Sequence, residues 1–287
     1  MKVTIWTCKL LLICSLFVVD AAQGEEISVV KQLDARRIID QHLYRDSPNA
    51  CGPTALLNAL KFGDQELQSI YQSLLGGRDD KRLRYVIDRY FRARPSSIAP
   101  SQKRSGIHGV YARDMALGCN ELLAEYKLDT CQSDFLDRLD DESDAKHLER
   151  VHERMSRSIK NGFPPILSLR SFVVRRRTET KHEPRWEIAF QHFVVIHSVP
   201  EKLSEIATGF EATVLDSNGS RAGAIHIHPE ANQQEFMALK GNDIRGRWMT
   251  GRPFLLVTAP GMTALRPANL SGSDRYIITA NFLIGRY

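Results

Sequence analysis

The sequence predicts an α+β domain, helical in its first half and an antiparallel sheet in its second. Three observations carry that reading. Apolar residues recur at helical spacing as far as Lys160. Runs rich in β-branched residues replace them after Pro165. Helices come first and strands second, which separates an α+β chain from an alternating α/β one. At 287 residues the chain can form one large domain or two small ones.

Residues 1–24 stand outside the predicted fold. Lys2 and Lys9 precede or flank a short apolar run, Leu10 to Val19, and Ala22 and Gly24 occupy the two positions a signal peptidase reads. The run is about ten residues, against about 20 for a membrane span. The expectation is an exported chain, periplasmic or secreted, whose mature part is residues 25–287, with no stable membrane insertion after cleavage.

From there the elements follow in order. Ile27 to Leu43 reads as helical or mixed. A helix runs from Cys51 to about Lys61 on the stripe Ala55, Leu56, Ala59 and Leu60. Gln65 to Leu75 forms a second, ended by Gly76-Gly77, and Lys81 to Arg92 a third, with Leu83, Val86, Ile87, Tyr90 and Phe91 on one face. Arg94 to Gly109 is rich in Pro, Ser and Gly and reads as a long loop. Helices over Ala112–Tyr126 and Ala145–Lys160 complete the first half. Strands are predicted over Pro165–Val174, Trp186–Val199, Phe210–Leu215, Ala224–His228, Phe254–Thr258 and Tyr276–Leu283. Asp216-Ser217-Asn218-Gly219 is a turn signal. A separate C-terminal extension after about Ala259 is compatible with the pattern.

The formal charge is +5, and loss of Lys2, Lys9 and Asp20 with the signal lowers it by one. That mild excess, interspersed with acids, gives no reason to expect nucleic acid as a partner. Arg170, Arg175, Arg176, Arg177 and Lys181 form a basic run, and Asp134, Asp137, Asp140, Asp141, Glu142 and Asp144 an acidic one. Both read first as solvated loops or faces; the arginines have holding an acidic substrate as their functional alternative. Of five cysteines, Cys8 and Cys14 leave with the signal, so an odd three remain. Cys119 and Cys131, 12 positions apart, can close a small disulfide loop and leave Cys51 as the single free thiol; three ordinary buried cysteines is the bland alternative. His226 and His228 share a strand face but lack a nearby acidic or thiol partner, so no metal site is expected. Asn218-Gly219-Ser220 and Asn269-Leu270-Ser271 fit the glycosylation pattern.

The chemistry concentrates at Ser47-Pro48-Asn49-Ala50-Cys51-Gly52-Pro53-Thr54, which puts a cysteine at the mouth of a helix. Pro53 suits a first turn, where its missing N–H costs nothing. The unpaired N–H groups and the dipole there favour a thiolate, the nucleophilic form. Gly52 is expected to leave the space beside the sulfur open to a substrate backbone. A cysteine nucleophile needs a base, and the base an orienting group. His192 sits early on the strand Trp186–Val199, after Gln191, and Asp216 at the end of the next strong strand, so pairing of those strands as neighbours brings the two together. His197 faces the other way from His192. Asn218 is the substitute orienter.

Cys51-Gly52-Pro53-Thr54-Ala55-Leu56, His192-Phe193-Val194-Val195 and Leu215-Asp216, in that order, resemble the papain-like cysteine peptidases. The nearest likeness is to the branch that processes bacteriocin leader peptides and its stand-alone relatives. It spans roughly Gln41 to Gly219, and includes the glycine-opened helix of Gly106 to Leu123 and Gly162-Phe163-Pro164-Pro165-Ile166-Leu167. The resemblance implies a papain-like fold, a Cys51–His192–Asp216 triad, a peptide or protein substrate and no cofactor. It implies a thioester intermediate whose oxyanion is held by the Cys51 backbone N–H and a second donor. That donor is usually a glutamine six residues before the cysteine, where this chain has Arg45. Gln41, Asn49 and Arg45 are the candidates for it. An inactive binding module and an acyltransferase using the same triad are the alternatives that this departure leaves open.

Overall fold

The computed structural model describes residues 25–45, 49–106, 109–174, 187–229, 237–239, 248–250, 254–268, 270 and 275–287. Residues 1–24, where a signal is expected, Ser47, Pro48, the basic residues Arg175, Arg176, Arg177 and Lys181, and Asn269 and Ser271, which fit the second glycosylation pattern, lie outside them. The helices are α1 (Cys51–Lys61), α2 (Gln65–Ser73), α3 (Asp79–Val86), α4 (Ala112–Glu125) and α5 (Asp144–Lys160). The strands are β1 (Glu26–Ser28), β2 (Ser105–Gly106), β3 (Gly109–Val110), β4 (Gln132–Phe135), β5 (Ile166–Val174), β6 (Glu187–Pro200), β7 (Phe210–Asp216), β8 (Arg221–His228), β9 (Met237–Leu239), β10 (Trp248–Thr250), β11 (Leu255–Thr258) and β12 (Arg275–Gly285).

Helix and sheet are mixed as the sequence predicts, with the helices ahead of the main strands. The sheet, however, closes. β5, β6, β7, β8, β11 and β12 pair antiparallel in a ring, and β12 returns to β5, giving a six-stranded barrel. β1 extends the pairing of β6, and β4 that of β12. β6 shows why the barrel and the helices hold together. Its Phe193 and Val195 enter a core shared with α1 to α4, while Val194 and Ile196 enter a second core with β7, β8, β11 and α5. This is the two-residue alternation of a strand buried on both faces.

Several elements differ from expectation. Ile27 to Leu43 holds the end of β1 and two short 3₁₀ turns, Ala35–Arg37 and Gln41–Leu43, each opened by an aspartate that accepts a backbone N–H. The third helix continues past Val86 as a π-helix over Ile87–Arg92. That wider turn carries Tyr90 and Phe91 into the core, where Phe91 lies against Gly118 of α4. The predicted loop Arg94 to Gly109 is tied down: Asp114, fully buried, accepts bonds from Ser96 Oγ, Ser97 N and Ser97 Oγ at 2.5, 2.7 and 2.7 Å. Arg104 bridges Glu121 with both terminal nitrogens. In the acidic run Asp140, Asp141 and Asp144 are exposed as expected, and of the basic run Arg170 alone is among the described residues. Asp134 is part of β4, Glu142 is nearly buried against Arg150, and Arg170 is a half-buried residue of β5.

Candidate active site

Cys51 is the first residue of α1, and Ala50 caps the helix without a side-chain bond. The first-turn N–H groups therefore have no partner within the helix. Two N–H groups, of Gly52 and Phe193, point at the Cys51 sulfur. Cys51 as a residue is partly exposed, although its sulfur is largely withdrawn from solvent. Gly52 does not serve as expected. A Cβ there would come within 3.1 Å of Met115 Sδ and 3.4 Å of the Phe193 ring. The missing side chain lets α1 press against α4 and β6, which carries the sulfur to the start of the histidine strand.

β6 and β7 are paired neighbours, with Val195 opposite Leu215. His192 and Asp216 meet as that pairing requires: His192 Nε2 lies 2.7 Å from Asp216 Oδ1, both residues buried. The imidazole also hydrogen-bonds the Cys51 thiol. With Nε2 taken by Asp216, Nδ1 is the ring nitrogen left for the sulfur. Asp216 Oδ1 accepts the Asn218 backbone N–H as well, at 2.8 Å. The Asn218 side chain is turned away to His42 Nε2, 3.0 Å distant, so it is not the orienter. His197 sits at a bulge of β6, buried, and burial lowers its pKa.

The electrostatics couple the three groups. Burial raises the Cys51 pKa, but the bond to His192, the imidazolium charge and the two backbone N–H groups outweigh it, and the thiol ends below its ordinary value. Burial lowers the His192 pKa, but the bonds to Asp216 and Cys51 and their charges push it up to about 10. A thiolate–imidazolium pair is the favoured state.

The three oxyanion candidates are separated by position. Asn58, fully buried in α1, clamps the preceding segment: its Nδ2 donates to Ile39 O and its Oδ1 accepts from Ile39 N, at 3.2 and 2.8 Å. Two residues on, Gln41 is buried against the end of β7. Its N–H donates to Ser217 O at 3.0 Å, and Ser217 Oγ donates to Gln41 Oε1 at 3.1 Å. The carbonyl end of the amide is thus occupied, and among the described residues no acceptor takes Nε2. Arg45 is exposed and lines a cleft with Arg78, Asp80 and Arg84. Asn49 is exposed and lies against Gly109. Asn58 and Ser217 were not singled out from sequence. A lone asparagine inside the stripe Ala55, Leu56, Ala59, Leu60 was the available signal for the first; Ser217 was hidden in turn chemistry.

Cys119 and Cys131 are free thiols, both buried and hydrogen-bonded to one another. That bond, burial and the neighbouring sulfur hold the Cys119 pKa well above the usual thiol range. His226 and His228 stack with ring centroids 5.4 Å apart. Among the described residues no group of three or more His, Cys, Asp or Glu stands together as a metal site. No helix among them is long and apolar enough to cross a membrane. In comparisons with protein-family models, curated proteins and solved structures, nothing matches this chain.

Proposed function

We propose that this chain is an exported cysteine hydrolase of papain-like type, acting on a peptide or other amide bond. The observation that carries the reading is a single buried imidazole shared between an aspartate and a thiol at a helix mouth. Cys51 attacks the carbonyl carbon as thiolate. The oxyanion is held by the Cys51 backbone N–H and by Gln41 Nε2, each donor contributing about 3 kcal/mol to the transition state. His192, protonated, gives its proton to the leaving amine and then takes one from the water that opens the thioester. Asp216 keeps the ring in the required tautomer and stabilises its charge.

The test is labelling with an electrophile that mimics a peptide. The mature chain should be modified at Cys51, and Cys51→Ala should abolish the labelling; modification at Cys119 or Cys131 instead would refute the assignment. A binding module on the same fold has an ordinary thiol, so alkylation of Cys51 that follows a pKa of about 8.5 selects that reading. An acyltransferase is distinguished by products that change when an amine is added.

A further inference from the structure

Arg170 is a half-buried cation that no side chain among the described residues answers. It lies in β5, directly across from Gln191 of β6 and from Thr279 of β12. Its Nε is buried without a hydrogen bond, and no carboxylate among the described residues pairs with it. Burial alone acts on the guanidinium, lowering its pKa. A charge partly withdrawn from water gains from a partner, since its desolvation is otherwise uncompensated. A second unmet donor is tied to Thr279, the residue across from Arg170. Thr279 Oγ1 donates to Asn281 Oδ1 at 2.7 Å, which commits the oxygen of that amide, and Asn281 Nδ2 is buried with no acceptor. Gln191, by contrast, is already engaged, donating to Ser168 Oγ at 3.1 Å.

The sheet face that Arg170 occupies leads to the nucleophile. Ser168 and Phe193 form the adjacent pair on it. Phe193 lies against Gly52, and its N–H points at the Cys51 sulfur. One such step along a strand is about 7 Å, the length of about two residues of extended peptide. We propose that Arg170 and Asn281 form an anionic subsite beside Cys51 that takes a carboxylate of the substrate, within about two residues of the scissile bond. The proposal rests on the hydrolase reading above and names its substrate class. The carboxylate belongs either to an Asp or Glu side chain or to the end of a peptide.

Four synthetic peptides separate the cases: one with an internal Glu, its Gln counterpart, and one sequence ending in a free acid or in an amide. Each is assayed on the intact mature chain for protection of Cys51 against iodoacetamide, read by mass spectrometry, and separately for cleavage. The expected result is protection by a carboxylate peptide at a concentration lower by about tenfold or more than its neutral counterpart. Arg170→Gln should erase that difference and Arg170→Lys should keep part of it. The pair that shows the difference identifies the source of the carboxylate. Equal protection by acid and neutral peptides in the native chain overturns the subsite even if Arg170→Gln does not fold, and so does a preference that Arg170→Gln leaves intact. Cleavage without preference removes the subsite and leaves the hydrolase; Arg170-dependent protection without any cleavage does the reverse.

Discussion

At the scale of single residues, the contacts of His192 fix a charge state before substrate arrives. Its pKa is raised to about 10, so its favourable pairing is complete below the ordinary imidazole value of about 6.5 and is lost as pH rises through about 10. The Cys51 pKa is lowered, so its pairing is present above the ordinary thiol value and is lost as pH falls through the lowered one. The two titrate as a pair. Hydrolysis should therefore follow a bell whose acid limb lies below the ordinary thiol value and whose alkaline limb lies near 10. Asp216→Asn removes the charge that holds the imidazolium. The alkaline limb should move toward neutrality and kcat should fall by about 10²–10⁴-fold; a limb that stays in place would show that Asp216 does not set the charge. Gln41→Ala should lower kcat by about 10²–10³-fold with little change in KM, whereas Arg45→Ala and Asn49→Ala should leave kcat close to the native value. A larger loss at Arg45 would transfer the donor role to the guanidinium. The meeting of His192 with Asp216 was legible from order along the chain, since the histidine signal is weak alone and Asp216 stands in turn chemistry. Gln41, Asn49 and Arg45 were not separable, because their offset from Cys51 says nothing about how the chain between them turns. Contacts from distant residues, Asn58 on Ile39 and Ser217 on Gln41, make that choice.

At the scale of elements, periodicity identified what was buried on one face or both, such as α1, α5 and β6. It missed β4, because Gln132-Ser133-Asp134-Phe135 carries one apolar residue and is a strand only through its pairing with β12. Yet β4 begins next to Cys131, and Cys131 is tied to α4 twice over. Asn120 brackets its backbone, with Nδ2 donating to Cys131 O and Oδ1 accepting from Cys131 N, at 3.0 and 2.8 Å. Its thiol meets Cys119 in the core. In the mature Cys51→Ala chain, where the reactive thiolate cannot compete, oxidised glutathione, reduced to two thiols in the exchange, should close Cys119 to Cys131 and leave no alkylatable cysteine after denaturation. Such a bridge should stabilise the fold by about 3 kcal/mol, by joining α4 to the strand that flanks the barrel. The check is a thiol count by mass spectrometry with and without reductant, alongside denaturant unfolding. Two alkylated cysteines after oxidation would mean that the two sulfurs cannot reach bonding geometry.

At the scale of the whole molecule, the sequence shows which segments are strands but not that the sheet meets itself. Closure depends on β12 pairing with β5, Ile284 opposite Ile166 and Ile278 opposite Ser171, and those partners are more than 100 positions apart. No local pattern encodes a contact at that range, and the bulge between Ala280 and Phe282 that bends β12 has no composition signal of its own. The consequence is that the last strand holds the site although it contributes no triad residue. β12 pairs with β4, β5 and β11, and Phe282 and Ile284 belong to the core that packs α1. A chain ending at residue 274 loses the burial of Ile278, Phe282, Leu283 and Ile284. At about 1.5–3 kcal/mol for each large apolar side chain, that loss is comparable to the whole stability of an ordinary domain, about 5–15 kcal/mol. The truncated chain should show no cooperative unfolding transition, and its Cys51 should alkylate with an ordinary thiol pKa because β5 and β6 no longer hold His192 in place. Cooperative unfolding with a depressed Cys51 pKa in that chain would mean that the helices and an open sheet suffice to build the site, and that closure of the barrel is incidental to it.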